Sequence, residues 1–116
     1  MAARDLDRTL SALAEPTRRA VVDLLRRRPR RAGELAEALS MSPPAMSRHL
    51  RVLRKTGLVE EEHAGEDARV RVYRLRPAPF RQLRAWIEDV ERLWTLELAA
   101  FKEHVERTRT PDGKRR

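Results

Sequence analysis

The sequence predicts a mainly α-helical fold with one small β-hairpin: five helices, with two strands between the fourth and the fifth. Three observations predict it. Apolar residues recur at three- and four-residue spacing up to residue 56 and again beyond residue 77. Only Ser40, Met41 and Ser42 separate two of the helical stretches, and after Gly57 the pattern changes to period two. At 116 residues and 41% hydrophobic content the chain has material for one domain and one modest core, expected over residues 1–108, with a disordered basic tail over 109–116. Aromatic residues make up only 4% of the chain and charged residues 38%, so a partner surface is expected to complete the apolar core.

Leu6, Leu10 and Leu13 recur at helical spacing, and Asp5 stands where the positive end of a helix dipole favours an acid, giving a first helix over about 5–14. Pro16 suits the first turn of a second helix, PTRRAVVDLLRRR, with Val21, Val22, Leu24 and Leu25 buriable and Pro29 as its stop. AGELAEAL then sets Leu35, Ala36 and Leu39 on one side of a short third helix that ends at Ser40. Ser42 followed by Pro43 and Pro44 opens a fourth helix, because a serine oxygen caps free amides and prolines fill positions that need no N–H. That helix runs from 43 to about 56, where Gly57 ends it.

The three-residue interval before the fourth helix is the length of a tight helix-turn-helix corner. LVEEEH, AGEDA and RVRVYRL read as strand, polar tip and strand, a hairpin that would form a wing beside that corner. Pro77 and Pro79 open the last helix, in which Phe80, Leu83, Ile87, Val90, Trp94, Leu98, Phe101 and Val105 repeat at spacings of three, four or seven. About 28 residues at 1.5 Å each reach roughly 42 Å, more than so small a domain needs. Much of this stripe is therefore expected to pack against a second copy of the chain.

Lys and Arg number 26 against 18 Asp and Glu, a formal net charge of +8 that favours a polyanionic partner such as nucleic acid. The absence of cysteine removes disulfides, thiolate metal sites, thiol redox sensing and cysteine nucleophiles together. No run of about 18 apolar residues exists and MAARDLDRTL has no apolar core of signal-peptide type, so a soluble cytoplasmic chain with no membrane partner is expected. There is no glycine-rich phosphate loop, no Ser/His/Asp arrangement and no HExxH, and the chain is not expected to be an enzyme.

Within SPPAMSRHLRVLRKTGLV, Met46, Leu50 and Leu53 at i, i+4 and i+7 form a buried face, which turns Pro44, Ser47, Arg48, Arg51 and Lys55 to the open side. In a helix laid in the major groove, Ser47 and Arg48 are placed for base edges, while Arg51, Arg54 and Lys55 are placed for phosphates. Arg48 is the leading candidate for direct readout, since a guanidinium contacts guanine O6 and N7 bidentately. The competing reading is an ordinary solvated helix face. In the hairpin, Arg69 and Arg71 flank the tip and Arg74 and Arg76 continue the basic strand, suited to phosphate or an adjacent minor groove, although Glu66 and Asp67 at the tip oppose this. Tyr73 and Leu75 share one strand face and are expected to pack under the helices.

ALAEPTRRAVVDLL, then GELAEALSMSPPAMSRHLRVLRKTGLV, then a wing ending in VYRL resemble the ArsR family of bacterial winged-helix repressors over residues 6 to 106. The resemblance implies that Ser42, Ser47, Arg48 and His49 lie where the recognition helix meets DNA, and His49 is read as a phosphate-contacting or helix-bracing residue rather than a metal ligand. It also implies a homodimer built from the first and last helices, with Leu6, Leu10, Trp86, Ile87, Val90, Leu93, Trp94, Leu98 and Phe101 at the interface. Pro43 departs from the family, where glutamine is frequent, so one side-chain contact is missing and operator preference is expected to differ. Metal-sensing relatives use cysteines, or Asp, His and Glu on the last helix. Here Asp89, Glu91, Glu103, His104 and Glu106 include a single histidine, and no metal or cofactor is expected. Trp86 and Trp94 are read as core or interface, with an unidentified small-molecule effector between the long helices as the alternative.

The function expected is a sequence-specific regulator, a repressor, that binds a near-palindromic operator in duplex DNA as a homodimer. Two alternatives stay open: a protein-interaction module on a winged-helix scaffold, using the acidic residues of the last helix, and an architectural DNA binder without sequence preference.

Overall fold

A computed structural model describes residues 3–66 and 69–114. Its elements run α1 (Ala3–Ala14), α2 (Pro16–Leu25), α3 (Ala32–Ala38), α4 (Pro43–Lys55), β1 (Val59–His63), β2 (Arg71–Leu75) and α5 (Pro77–Lys114). The five helices and two-stranded hairpin expected from the sequence are all present, in the expected order. The chain divides after Leu83 into two units.

In the first unit the core is apolar and continuous. Val21 and Leu25 of α2, Leu35 and Ala36 of α3, Met46, Leu50 and Leu53 of α4, and Leu58 and Val59 at the start of the hairpin are all buried. Each large side chain so enclosed contributes roughly 1.5–3 kcal/mol relative to exposure. Tyr73 and Leu75 pack against this cluster half-buried, as the strand pattern predicts, and Phe80 at the start of α5 joins them. Helix α4 is central: it contacts α2, α3 and β1.

The corner between α3 and α4 is fixed by local hydrogen bonds. Ser40 adopts a left-handed φ of 53°. Its N–H donates to the Glu37 carbonyl at 3.2 Å and the next N–H, of Met41, to the Ala36 carbonyl at 2.8 Å, the paired bonds of a Schellman cap. Ser42 then caps α4, its Oγ accepting from the Ala45 N–H at 3.3 Å, with Pro43 at the first helical position as expected. At the far end of α4 the same cap recurs on Gly57, whose φ is 81°; Gly57 N–H donates to Arg54 and Leu58 N–H to Leu53. A Cβ at Gly57 would stand 3.3 Å from Arg76 Nη1.

The strands pair antiparallel from Val59 opposite Leu75 to His63 opposite Arg71. The hairpin has an additional backbone partner that the sequence did not reveal. Arg30 N–H donates to the Tyr73 carbonyl at 3.1 Å and Tyr73 N–H to the Arg30 carbonyl at 2.7 Å, a one-residue bridge. This bridge accounts for the early end of α2, expected to extend through the arginines to Pro29 but ending at Leu25. The residue before a proline is disfavoured in helical conformation, so the chain leaves the helix and turns to bring Arg30 against β2. The expected tip residue Asp67 lies outside the described residues.

Helix α5 begins in the first unit, and its residues from Arg84 onward make up the described part of the second. Its 38 residues exceed the roughly 28 expected, and its backbone is helical to Lys114 rather than giving way near residue 108. Once a helix is nucleated each added non-proline residue gains a hydrogen bond, and neither glycine nor proline interrupts the sequence from Phe80 to Thr110. Trp86, Ile87, Val90, Leu93, Trp94, Leu96, Leu98 and Phe101 are all exposed on it, from 44% to 65%. Among the described residues no helix is long and apolar enough to cross a membrane.

Candidate nucleic-acid interface

The packing of α4 sorts its side chains by the 3.6-residue period. Met46, Leu50 and Leu53 are at most 1% exposed, which seats the helix on its core and leaves Pro44, Ser47, Arg48, Arg51, Arg54 and Lys55 facing solvent. Among the ion pairs of the described residues none involves Arg48, Arg51 or Lys55. Their charge is uncompensated and sits on three successive steps of one helix face. Between α4 and the hairpin lies a cleft of about 490 Å³ lined by Ser47, Arg51, Arg54, Lys55 and Tyr73.

His49 does not share this face. It is half-buried, with Nδ1 3.7 Å from Glu15 Oε2. Glu15 is the N-cap of α2, accepting from the Arg18 N–H at 2.9 Å. Partial burial pushes the Glu15 carboxyl up, but backbone N–H donation from Arg18 and Thr17, with the charges of His49 and Arg18, outweighs it and holds the group below its ordinary value. His49 thus braces α4 against the start of α2.

The hairpin arginines are largely engaged by the opposite strand. Arg74 Nε lies 2.7 Å from Glu60 and 3.4 Å from Glu62, and Arg76 Nε 3.7 Å from Glu60. Arg71 Nη1 donates to Glu61 Oε1 at 2.9 Å. Glu61 Oε2 accepts both the Tyr73 hydroxyl at 2.8 Å and Arg54 Nη1 at 3.2 Å. Donation from Tyr73 acts first, with the charges of Arg54 and Arg71, to hold the Glu61 carboxyl below its usual range against the opposing effect of burial. Burial, then Glu61 itself, pushes the Tyr73 phenol up. Of the two tip-flanking arginines singled out from the sequence, both are exposed, and Arg71 carries this carboxylate partner.

Sequence reasoning therefore located the open face of α4 and its cationic residues, and missed Glu61, Glu15 and Arg30. The run Glu60–Glu61–Glu62 was legible as strand; only the hairpin register, which sets Glu61 opposite Tyr73, selects the member that faces α4. Ser42 is exposed with its oxygen already used as a cap, which leaves its hydroxyl hydrogen for an outside acceptor. On the expected interface residues, Leu6 is half-buried, Leu10 is 39% exposed, and every expected member from Trp86 to Phe101 is exposed.

A three-residue corner, an exposed cationic second helix and a hairpin beside it define a winged helix-turn-helix transcriptional regulator with a DNA-binding face. The family model for bacterial regulatory proteins of the arsR family matches residues 15–61, from the N-cap of α2 into β1. The HTH-type transcriptional regulator Rv2034 of Mycobacterium tuberculosis is 41% identical over 103 residues, covering 89% of this chain and 91% of the relative. The chain belongs to the arsR family. Among solved structures, an ArsR-like transcriptional regulator from Rhodococcus sp. RHA1 superposes with a TM-score of 0.73 at 31% identity, covering 86% of this chain and 92% of that one. The homodimeric winged helix-turn-helix DNA-binding domain Mb0332 of Mycobacterium bovis gives 0.58 at 30% identity, covering 89% and 83%.

Proposed function

We propose that this chain is a sequence-specific repressor that binds a near-palindromic operator in duplex DNA as a homodimer, in the cytoplasm where the chromosome lies. The observation that carries the reading is the uncompensated face of α4, where Arg48, Arg51 and Lys55 stand exposed on a helix whose other side is closed by Met46, Leu50 and Leu53. With that face in the major groove, Ser47 and Arg48 read base edges, and Ser42, Arg51 and Lys55 hold phosphates, while Arg54 beside them is engaged by Glu61; Pro44 contributes contact without a donor. His49 serves by fixing the helix on α2. Arg69 of the wing adds backbone contact beyond the groove, and Arg71 next to it is engaged by Glu61.

The homodimer is supported by the apolar stripe of α5. A lone helix cannot bury one face against itself, and an exposed series from Trp86 to Phe101 calls for a second surface. A second copy supplies it, with Leu6 and Leu10 of α1 joining from each protomer. The homodimeric state of the Mycobacterium bovis relative supports this occupant. Two copies of α4 spaced one duplex turn apart, about 34–36 Å, read two half-sites, and occupancy of a promoter excludes RNA polymerase. A genome-wide footprint of the protein supplies the operator. Arg48→Ala is then expected to abolish preference for that operator while leaving the dimer intact; an unchanged footprint with Arg48→Ala refutes the reading.

A further inference from the structure

Glu61 is the one acidic side chain that joins α4 to the wing among the described ion pairs. It is 14% exposed, whereas the arginines on it, Arg54 and Arg71, are 52% and 58% exposed. Its carboxylate is also anchored from below by the Tyr73 hydroxyl, a group that lines the cleft between α4 and the hairpin. Two cations on the face assigned to DNA are therefore held to a single anchored anion, while Arg48, Arg51 and Lys55 beside them have none.

This asymmetry has an energetic meaning. Non-specific affinity for duplex DNA grows with the number of phosphates that cationic side chains neutralise, through counterion release, and carries no sequence information. A guanidinium already committed to a carboxylate releases fewer counterions from DNA, and its fork is held in one direction instead of sweeping for the nearest phosphate. We propose that Glu61 is a specificity-determining positioning residue: by holding Arg54 and Arg71 it restrains indiscriminate phosphate binding and leaves sequence reading to the unpaired residues of α4. The inference rests on the DNA-binding reading above and adds a residue of negative charge to a surface otherwise assigned by its positive charge.

The test compares the full chain with Glu61→Gln and Glu62→Gln on a duplex of mixed sequence, between about 50 and 200 mM salt. The amide introduced by Glu61→Gln keeps an acceptor for Tyr73 but offers no charge to the arginines. Glu62→Gln removes the same charge from the next strand position, which faces Arg74 instead. Glu61→Gln is expected to tighten binding to mixed-sequence duplex about tenfold at 0.1 M salt and to steepen the plot of log affinity against log salt by about 0.9–1.8, one or two phosphate contacts. Glu62→Gln should change the slope by less than half as much. In the otherwise native chain, Arg54→Gln should leave the slope nearly unchanged while Arg51→Gln lowers it by about 0.9, a comparison that does not depend on Glu61→Gln folding.

The assignment to Glu61 is overturned if native protein binds but Glu61→Gln keeps the native slope, binds mixed duplex more weakly, or matches Glu62→Gln. It is equally overturned if Arg54→Gln lowers the slope as far as Arg51→Gln. A native chain that binds no duplex overturns the DNA-binding reading itself, and this inference with it.

Discussion

Glu61 and Tyr73 face each other across the hairpin, and the Tyr73 hydroxyl donates to Glu61 Oε2 at 2.8 Å, the same oxygen that receives Arg54 from the end of α4. A neutral donor and a cation from different elements thus converge on one carboxylate. The wing is tied to the helix that precedes it by this point as well as by its strand register.

The tie has a pH signature. The Glu61 carboxyl is held below the ordinary glutamate value of about 4.3 by Tyr73 and by its two arginines, so the stability it contributes is complete above that value and is lost as pH falls through the lower folded-state value. The Tyr73 phenol is pushed above its ordinary value of about 10 by burial and by Glu61, so its contribution is complete below that value and is lost as pH rises through the higher folded-state value. Denaturation midpoints measured across roughly pH 3 to 11, an interval that brackets the two ordinary values, should fall toward both ends. Tyr73→Phe should flatten the alkaline limb and Glu61→Gln should shrink the acid limb. An alkaline limb unchanged by Tyr73→Phe would contradict the assignment.

The two helix caps make opposite demands on sequence. Ser40 holds a left-handed φ that disfavours side chains, so Ser40→Gly should raise stability by about 1 kcal/mol. Gly57 has the same conformation and little room beside Arg76, so Gly57→Ala should lower stability by about 1 kcal/mol or more. Equilibrium urea unfolding of both variants checks the pair; the reverse order of stabilities would show that the corners are not built this way.

The stripe of α5 should govern assembly without governing the fold of the first unit. Leu93→Glu combined with Trp94→Glu places charge at two of its most exposed apolar positions, 65% and 62%. Sedimentation equilibrium should then report a single chain. Affinity for the two-half-site operator should drop by about 10²–10⁴ as the second contact ceases to be intramolecular. A variant that stays dimeric would place the interface elsewhere.

The architecture was legible because its signals are local. Proline and serine at the start of α4, glycine at its end, and leucines at 3.6-residue spacing act within a few residues of where they stand. The misreadings arise where distant residues decide. Arg30 bonds to Tyr73 across 43 positions, and that pairing, with Pro29, draws the chain out of α2 before the basic run ends. For His49 the sequence leaves phosphate contact and helix bracing both open, and only the fold supplies the bracing partner, Glu15, a cap concealed behind the more conspicuous Pro16. The wing arginines were legible as charge, but the acids that neutralise them could be matched only once the register was known.

The proposed function requires the open cationic side of α4 to discriminate among DNA sequences. Affinity of the purified chain for its footprinted operator and for mixed-sequence duplex, measured at the same series of salt concentrations, checks this. An operator preference of about 10³-fold or more is expected to persist as salt rises, on top of a shared electrostatic decline. Equal affinities for the two duplexes at every salt concentration would contradict it.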